Sequence, residues 1–504
     1  MRFIFYLFGI LSLSECAKIL GIFPLNGQSH YRAGLAMMKI LAARGHHVTM
    51  VSPFRLKNPP TNWRDVVLEP KDEQKMDFFN FNLHPYLQAY VFSSLGPVIM
   101  NSTLSHPVFK EFLKTKEKFD VIILEQFYSD GLKYMGTYFD APLILYSAQG
   151  ANSWTNPTVG NPAPPSYVAD LVLPYSNEMN FFQRMDNAIL YLVTETVRYF
   201  IALPAHDKII KKHFPGAPDI SEYYNNVSLV LLNGDTSVNE AIPKVPSMVD
   251  IGGFHLSPAK PLPADLQKIL DEAKHGVVYF SMGSNIRSAD MPKEKIDMFN
   301  SVFSSLKQTV LWKWEDENLP GKPDNIIIRK WLPQNDILAH KNVKLFITHG
   351  GIFSIMEAVN NGVPLLAFPI FGDQMLNAKR ATAFGFARWL KFRETTVETL
   401  KSELDEILTK PKYMENAMKR SRLMKDNPLS AQERLVFWVE YVIRNKGADH
   451  LKVAALKLNL FQYLLLDIIL FVSVLSISLI VFLKYALCYL LRLRGKQSSK
   501  TKSE

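Results

Sequence analysis

The sequence predicts an α/β protein: two Rossmann-like, doubly wound halves that face a cleft, followed by one transmembrane helix. Three observations predict it. Short apolar strands alternate with segments of helical spacing from Lys18 onward; the alternation restarts after a stretch rich in Pro, Gly and Ser; and Leu460 to Leu483 runs for 24 residues with Asp467 as its only charge. At 504 residues and 48% hydrophobic content the chain is long enough for about three units of roughly 150 residues, which excludes the disordered and collagen-like classes.

Met1 to Ala17 opens with Arg2, continues in an apolar run from Phe3 to Leu13 that is too short to span a bilayer, and ends in the small residues Ser14, Cys16 and Ala17. It reads as a cleaved signal peptide. Residues 18–242 form the first half. Lys18 to Phe23 predicts a strand, Ala33 to Ala43 a helix closed by Gly45, and Val48 to Val51 a second strand, together a βαβ start. Strands follow at Phe119 to Leu124, Pro142 to Tyr146 and Leu229 to Leu232. Residues 243–263 hold five prolines and read as a linker. The second half, 264–459, restarts with strand Val277 to Phe280, helix Lys293 to Leu306, and strands Thr309 to Trp312 and Ile326 to Arg329. Strand Leu345 to Thr348, helix Phe353 to Val359 and strand Pro364 to Phe368 complete it.

The span is predicted over 460–483, with Asp467 at the interface and the hydrocarbon region beginning near Ile468. Residues 484–504 are a basic tail. Its six lysines and arginines against Glu504 supply half of the net charge of +10, so the charge sets membrane topology and does not predict a nucleic-acid partner. A cytoplasmic tail puts the body in the lumen. Lys500 and Lys502 resemble the di-lysine retrieval signal of endoplasmic reticulum type I membrane proteins, an address read by a retrieval-coat receptor. Two sequons, at Asn101 and Asn226, agree with a lumenal body. Both cysteines, Cys16 and Cys488, fall outside the predicted folded halves, which excludes a disulfide scaffold, a zinc–cysteine site and a cysteine nucleophile.

The chemistry concentrates in Thr348-His349-Gly350-Gly351-Ile352-Phe353-Ser354-Ile355-Met356-Glu357. A strand stops, two glycines let the backbone turn and approach a ligand, and a helix begins whose free N–H groups favour an anion. His349 and Ser354 sit where they can donate to phosphate oxygens, and Glu357, one turn later, can accept from ribose hydroxyls. The next strand delivers Asp373 and Gln374 to the same carboxyl edge, where open α/β sheets bind ligands. In the first half, Asn26-Gly27-Gln28-Ser29-His30 follows the first strand without the three spaced glycines of a dinucleotide site, which argues against an oxidoreductase.

With Trp331-Leu332-Pro333-Gln334 upstream and Asp373-Gln374 downstream, this segment resembles the signature of the UDP-glycosyltransferases, and the chain from Lys18 to the tail looks most like the insect membrane-bound branch. The resemblance implies a GT-B fold with an acceptor-binding first half and a UDP-sugar-binding second half. It implies that Trp331 stacks on uracil and Gln334 bonds the base or ribose. His349, the Gly351 amide and Ser354 hold the pyrophosphate, Glu357 the ribose, and Asp373 with Gln374 the sugar hydroxyls. Ser284 and Arg287, after the strand ending Phe280-Ser281, lie near the diphosphate. Phe353 departs from the pattern, since many relatives carry Asn there. The implied base is His30, paired with a carboxylate after the strand Phe119 to Leu124; position favours Glu125 and residue type favours Asp130.

The expected function is inverting transfer of a hexosyl group from a UDP-sugar to a hydroxyl of a small lipophilic acceptor. Glucose is the first choice of sugar and glucuronic acid the runner-up. No Asp-x-Asp occurs in the chain, so no metal is expected, and no cofactor is held permanently. A catalytically decayed membrane-bound carrier is the competing reading. Homo-oligomerisation stays open. The expected location is the endoplasmic reticulum membrane, single-pass type I, with a lumenal body.

Overall fold

The computed structural model describes residues 16–70, 79 and 83–500. The predicted signal peptide, except Cys16 and Ala17, lies outside the described residues, as do Phe78, Phe81 and Lys502. The chain divides into one unit ending at Leu451 and a second beginning at Lys452.

The first unit contains two wholly parallel sheets. The first has seven strands: β1 (Lys18–Ile22), β2 (His47–Ser52), β3 (Trp63–Val67), β4 (Val121–Glu125), β5 (Leu143–Ser147), β6 (Leu229–Leu232) and β7 (Met248–Asp250), in the order β3-β2-β1-β4-β5-β6-β7. The second has six: β8 (Val277–Ser281), β9 (Thr309–Lys313), β10 (Ile326–Arg329), β11 (Val343–Thr348), β12 (Leu365–Ala367) and β13 (Ala387–Trp389), in the order β10-β9-β8-β11-β12-β13. Central strands such as β4 and β8 are buried at every residue, as a sheet covered by helices on both faces requires. Each sheet reverses its strand order once, between β1 and β4 and between β8 and β11. Those two reversals open the crevices in which such folds bind ligands.

Three strands were not predicted. β3, β7 and β13 are each an outermost strand, and their sequences, WRDVV, MVD and ARW, are short or carry charge. Edge strands bury less and so lack the apolar run that betrays a central one. β7 lies within the 243–263 stretch read as a linker, paired with β6 through Val230↔Met248.

The helix Ala431–Arg444 belongs by sequence to the second half, yet it packs on the first. Ser430 and Glu433 form a capping box that starts it, and Leu435, Val439 and Val442 enter the same core as Ile19, Met37 and Val121. Arg434 Nη1 donates to the Asp250 carbonyl at 2.9 Å, and Glu440 lies 3.2 Å from Arg44 and 3.4 Å from His46. A boundary at 459 is therefore replaced by a crossing before Ser430. The apolar spacing of the helix shows that it is buried but not which half buries it.

The second unit holds a short helix, Leu460–Tyr463, then Leu465 with φ +56°, then the helix Leu466–Lys500. Leu466–Leu493 is long and apolar enough to cross a membrane. The predicted start at Leu460 is displaced because the Asn459 side chain accepts from the Gln462 amide and begins a separate turn.

Candidate active site

The carboxyl ends of β1, β4, β8 and β11 face one cleft of about 1000 Å³, mouth included. His30, two residues into the helix Gln28–Ala43, lies on its first-half wall. Its Nδ1 is 2.6 Å from Oε1 of Glu125, the last residue of β4, which is only 1% exposed. A carboxylate can only accept, so Nδ1 carries the proton and Nε2 keeps its lone pair. Burial pulls the imidazole pKa down, but the charge and hydrogen bond of Glu125, aided by Asp373, outweigh it and leave the pKa raised above 6.5.

Asp130 is not part of this pair. It sits in the turn Asp130–Lys133, where its Oδ1 accepts from Lys133 Nζ at 2.7 Å and from Gln126 Nε2 at 2.8 Å, all buried. Lys133 and Gln126 take up its Oδ1, and His30 pairs with Glu125 instead. Phe127 and Tyr128, which follow Glu125, form an apolar wall with Phe92, Trp154, Leu171 and Val172. Phe127 meets the His30 ring edge-on with centroids 5.3 Å apart, and Tyr128 lies 4.3 Å from Trp154. Tyr128 has φ +56°, a conformation that costs a non-glycine residue about 1 kcal/mol or more. Its carbonyl accepts from His206 Nε2 at 2.9 Å, and it closes on Gly96, where any Cβ would lie 1.8 Å from the Tyr128 oxygen. Sequence reasoning missed this wall, although Phe127 and Tyr128 stand at the carboxyl end of a predicted strand.

On the second-half wall, Gly350 has φ +85°, and Gly351 caps the helix Ile352–Asn360. His349 is held between two glycines: a Cβ on Gly283 would come within 2.5 Å of its Cε1, and one on Gly351 within 2.6 Å of its Nε2. Burial, reinforced by the Lys313 charge, pushes the His349 pKa down to about 4, so the ring is neutral at pH 7. Ser284, Ser354, Asp373 and Gln374 share the cleft with it. Gln334 Nε2 donates to Ser354 Oγ at 3.0 Å and to Glu357 Oε2, while Tyr279 Oη donates to Gln334 Oε1 at 3.2 Å. Burial lifts the Glu357 pKa to about 7 against the opposing Gln334 bond and Arg32 charge. Asn377 Nδ2 donates to Asp373 at 2.7 Å, and the Gln374 side-chain oxygen accepts from the amides of Ile370 and Phe371 at 2.8 and 3.2 Å. Gln374 thus has its NH₂ left to offer the cleft.

Of the residues predicted for the second-half wall, Arg287, Trp331, Gln334 and Glu357 do not line the cleft. Trp331 is 57% exposed, with the Arg32 guanidinium 4.4 Å over its ring, a contact from the first half to the second. Arg287 is bound to Asp316 at 2.9 Å and Asp290 at 3.3 Å and does not line the cleft. Phe353 lines the cleft, meets His255 edge-on with centroids 4.8 Å apart, and packs against the cores of both halves. Ser29 Oγ and Asn285 Nδ2, at 3.2 Å, also join the two walls. Among the described residues no cluster of three or more His, Cys, Asp or Glu side chains is arranged to hold a metal ion.

Two parallel doubly wound halves around one cleft define the GT-B fold. Solved structures of that fold align with the chain: a kitacinnamycin glycotransferase, TM-score 0.57 at 17% identity over 86% of this chain and 100% of the other, and a UDP-glucose: anthocyanidin 3-O-glucosyltransferase in complex with UDP, TM-score 0.55 at 16% identity over 85% and 99%. The chain belongs to the UDP-glucoronosyl and UDP-glucosyl transferase family, whose model matches residues 71–500. It is 36% identical to the UDP-glycosyltransferase UGT5 of Dactylopius coccus over 96% of this chain and 94% of that one, and 32% identical to the human UDP-glucuronosyltransferase 1A8 over 97% and 96%. It is therefore an enzyme that moves a sugar from a UDP-sugar to an acceptor.

Proposed function

We propose that the protein transfers glucose, with inversion, from UDP-glucose to a hydroxyl of a small lipophilic acceptor, with His30 as general base. The observation that carries this reading is the His30–Glu125 contact of 2.6 Å at the edge of an apolar wall. His30 Nε2 takes the acceptor proton as the acceptor oxygen bonds the anomeric carbon, and the bond from that carbon to the diphosphate breaks on the opposite face. Glu125 holds the tautomer and stabilises the imidazolium. The leaving UDP carries its charge to the start of the helix Ile352–Asn360, where the Gly351 amide, Ser354 and neutral His349 receive it, with Ser284 beside them. Glu357 and Gln334 take the ribose, Trp331 the uracil, and Asp373 with the Gln374 NH₂ the sugar hydroxyls. Asp130 and Arg287 serve structure. An intact pair and a connected donor network favour an enzyme over a decayed carrier.

Glucuronate is the second donor weighed, because relatives named for both sugars match nearly the whole chain. Microsomes bearing the protein, offered UDP-glucose and UDP-glucuronate with a panel of phenols, decide between them; product with glucuronate alone refutes the glucosyl reading. Activity unaffected by EDTA is expected from a metal-free mechanism, and loss restored by magnesium would overturn it. We place the body in the endoplasmic reticulum lumen, anchored by Leu466–Leu493, with Lys500 and Lys502 as the cytosolic retrieval address. Protease on sealed microsomes then clips only the tail, and endoglycosidase H shifts the mass if Asn101 or Asn226 is glycosylated. A protected tail refutes the topology.

A further inference from the structure

Lys313 is a buried cation that stands behind the second-half wall of the cleft without lining it. It is the last residue of β9, and the register Phe280↔Trp312 sets it beside Ser281, where β8 gives way to the loop that brings Gly283, Ser284 and Asn285 to the cleft. Its Nζ donates to the Gly283 carbonyl at 2.9 Å and to Glu315 Oε1 at 2.6 Å, and Glu315 Oε2 accepts from the Ala289 amide at 3.2 Å. The pair thus clasps this loop at both ends. A buried ammonium is costly unless it is paired and hydrogen-bonded; here those bonds fix the orientation of one peptide. The Gly283 carbonyl and the Ser284 N–H lie on opposite sides of a trans peptide unit, so a carbonyl held back by Lys313 turns the N–H the other way. Gly283 has φ +87° and lies against His349, whose Cε1 a Cβ there would meet at 2.5 Å, so this peptide stands beside the turn that opens the helix Ile352–Asn360. The Lys313 charge reaches the same place: after burial, it is the cause that pushes the His349 pKa down.

We propose that Lys313 is a positioning residue for the donor diphosphate: by holding the Gly283 carbonyl it presents the Ser284 N–H to a phosphate oxygen, and its charge attracts the diphosphate through the loop. This rests on the placement of UDP at the start of the helix Ile352–Asn360 under the function proposed above. A glycine lets its peptide flip at little steric expense. The flipped peptide would turn a carbonyl oxygen, an acceptor, toward an anion, and Lys313 holds the other orientation. As the bond from the anomeric carbon to the diphosphate breaks, negative charge grows on the leaving phosphate, and an N–H already fixed toward it stabilises that charge without reorganising.

The test uses microsomes bearing the full-length protein and reads binding by displacement of radiolabelled UDP, with unlabelled UDP or uridine as competitor. Lys313→Met keeps the length of the side chain and removes its charge and its donor. UDP affinity is expected to fall about tenfold, as the loss of one charge-assisted hydrogen bond implies, while uridine, which has no phosphate, competes as it does with the wild type. In turnover, the donor KM rises and the acceptor KM holds. Lys313→Arg restores charge and donor and is expected to recover most of the UDP affinity. Because Lys313→Met leaves Glu315 without its partner, the same variant combined with Glu315→Gln is measured beside it and is expected to lose affinity for UDP alone. Unchanged UDP affinity in both variants overturns the proposal. So does a loss shared equally by uridine in both, which would make Lys313 a residue of folding only. Ser354→Ala separates this failure from that of the reading beneath it. If it weakens UDP and Lys313→Met does not, the diphosphate site stands and Lys313 has no part in it; if neither weakens UDP, the placement of the diphosphate falls as well.

Discussion

The two walls of the cleft are made of opposite materials. The first-half wall is bulky and aromatic, Phe92, Phe127, Tyr128 and Trp154 around one ion pair; the second-half wall is glycine, serine and amide, Gly283, Ser284, Gly351, Ser354 and Gln374 around one neutral imidazole. The difference follows from what each wall can grip. A diphosphate is bound by backbone N–H groups at close range, which demands small residues in one contiguous turn. On the function proposed above, a lipophilic acceptor offers only shape and one hydroxyl, which suits a wall assembled from large side chains on separate elements.

That division predicts that chemistry and donor binding fail separately. The largest effect is expected from His30→Ala: kcat falls about 10²- to 10⁴-fold while the UDP affinity measured by calorimetry stays put, and a matching loss of UDP affinity would break the comparison. Glu125→Gln comes next, with a loss of about 10²-fold or more in kcat. The pH profile adds a sharper reading. In the wild type the base is active when neutral, so kcat/KM falls as pH drops through a His30 pKa above 6.5. Without the Glu125 charge only burial remains strong, and the acid limb moves to lower pH. Asp130→Asn should leave that limb in place and act on stability, since breaking a buried pair costs about 3–5 kcal/mol; thermal melting separates the two carboxylates.

On the donor wall, Ser354→Ala is expected to weaken UDP by about 1–3 kcal/mol without moving the pH profile of catalysis. Glu357, with its pKa near 7, accepts best when ionised, so UDP affinity rises as pH passes upward through about 7; Glu357→Gln flattens that dependence. The smallest effect belongs to the bridge between the walls. Arg32→Ala removes a cation–π contact worth about 0.5–1 kcal/mol at an exposed site, and a double-mutant cycle with Trp331→Ala measures that coupling directly.

The second-half wall of the cleft was legible in the sequence because its residues are neighbours: a strand, two glycines and a helix start fall within fifteen residues of Val343. The central strands were legible for the same reason, as unbroken apolar runs. The aromatic wall was not, because Phe92, Phe127, Trp154 and Val172 are brought together only by the fold. Nor could periodicity decide between Glu125 and Asp130, since Asp130, five positions later, is taken up by Lys133, which is itself buried. Arg287, placed near the diphosphate by the resemblance, pairs in the structure with Asp290 and Asp316. The destination of the helix Ala431–Arg444 was hidden because an apolar stripe states that it will be covered and not by what.

That returning helix has a consequence for how the enzyme breaks. The polypeptide passes from first half to second between β7 and β8, and back again before Ser430. A protease that nicks the first passage leaves two fragments still joined, because Leu435, Val439 and Val442 of the later fragment are completely buried in the earlier one. Cleavage in the 257–263 stretch should therefore appear on a denaturing gel while the native protein migrates as one particle and retains bound UDP.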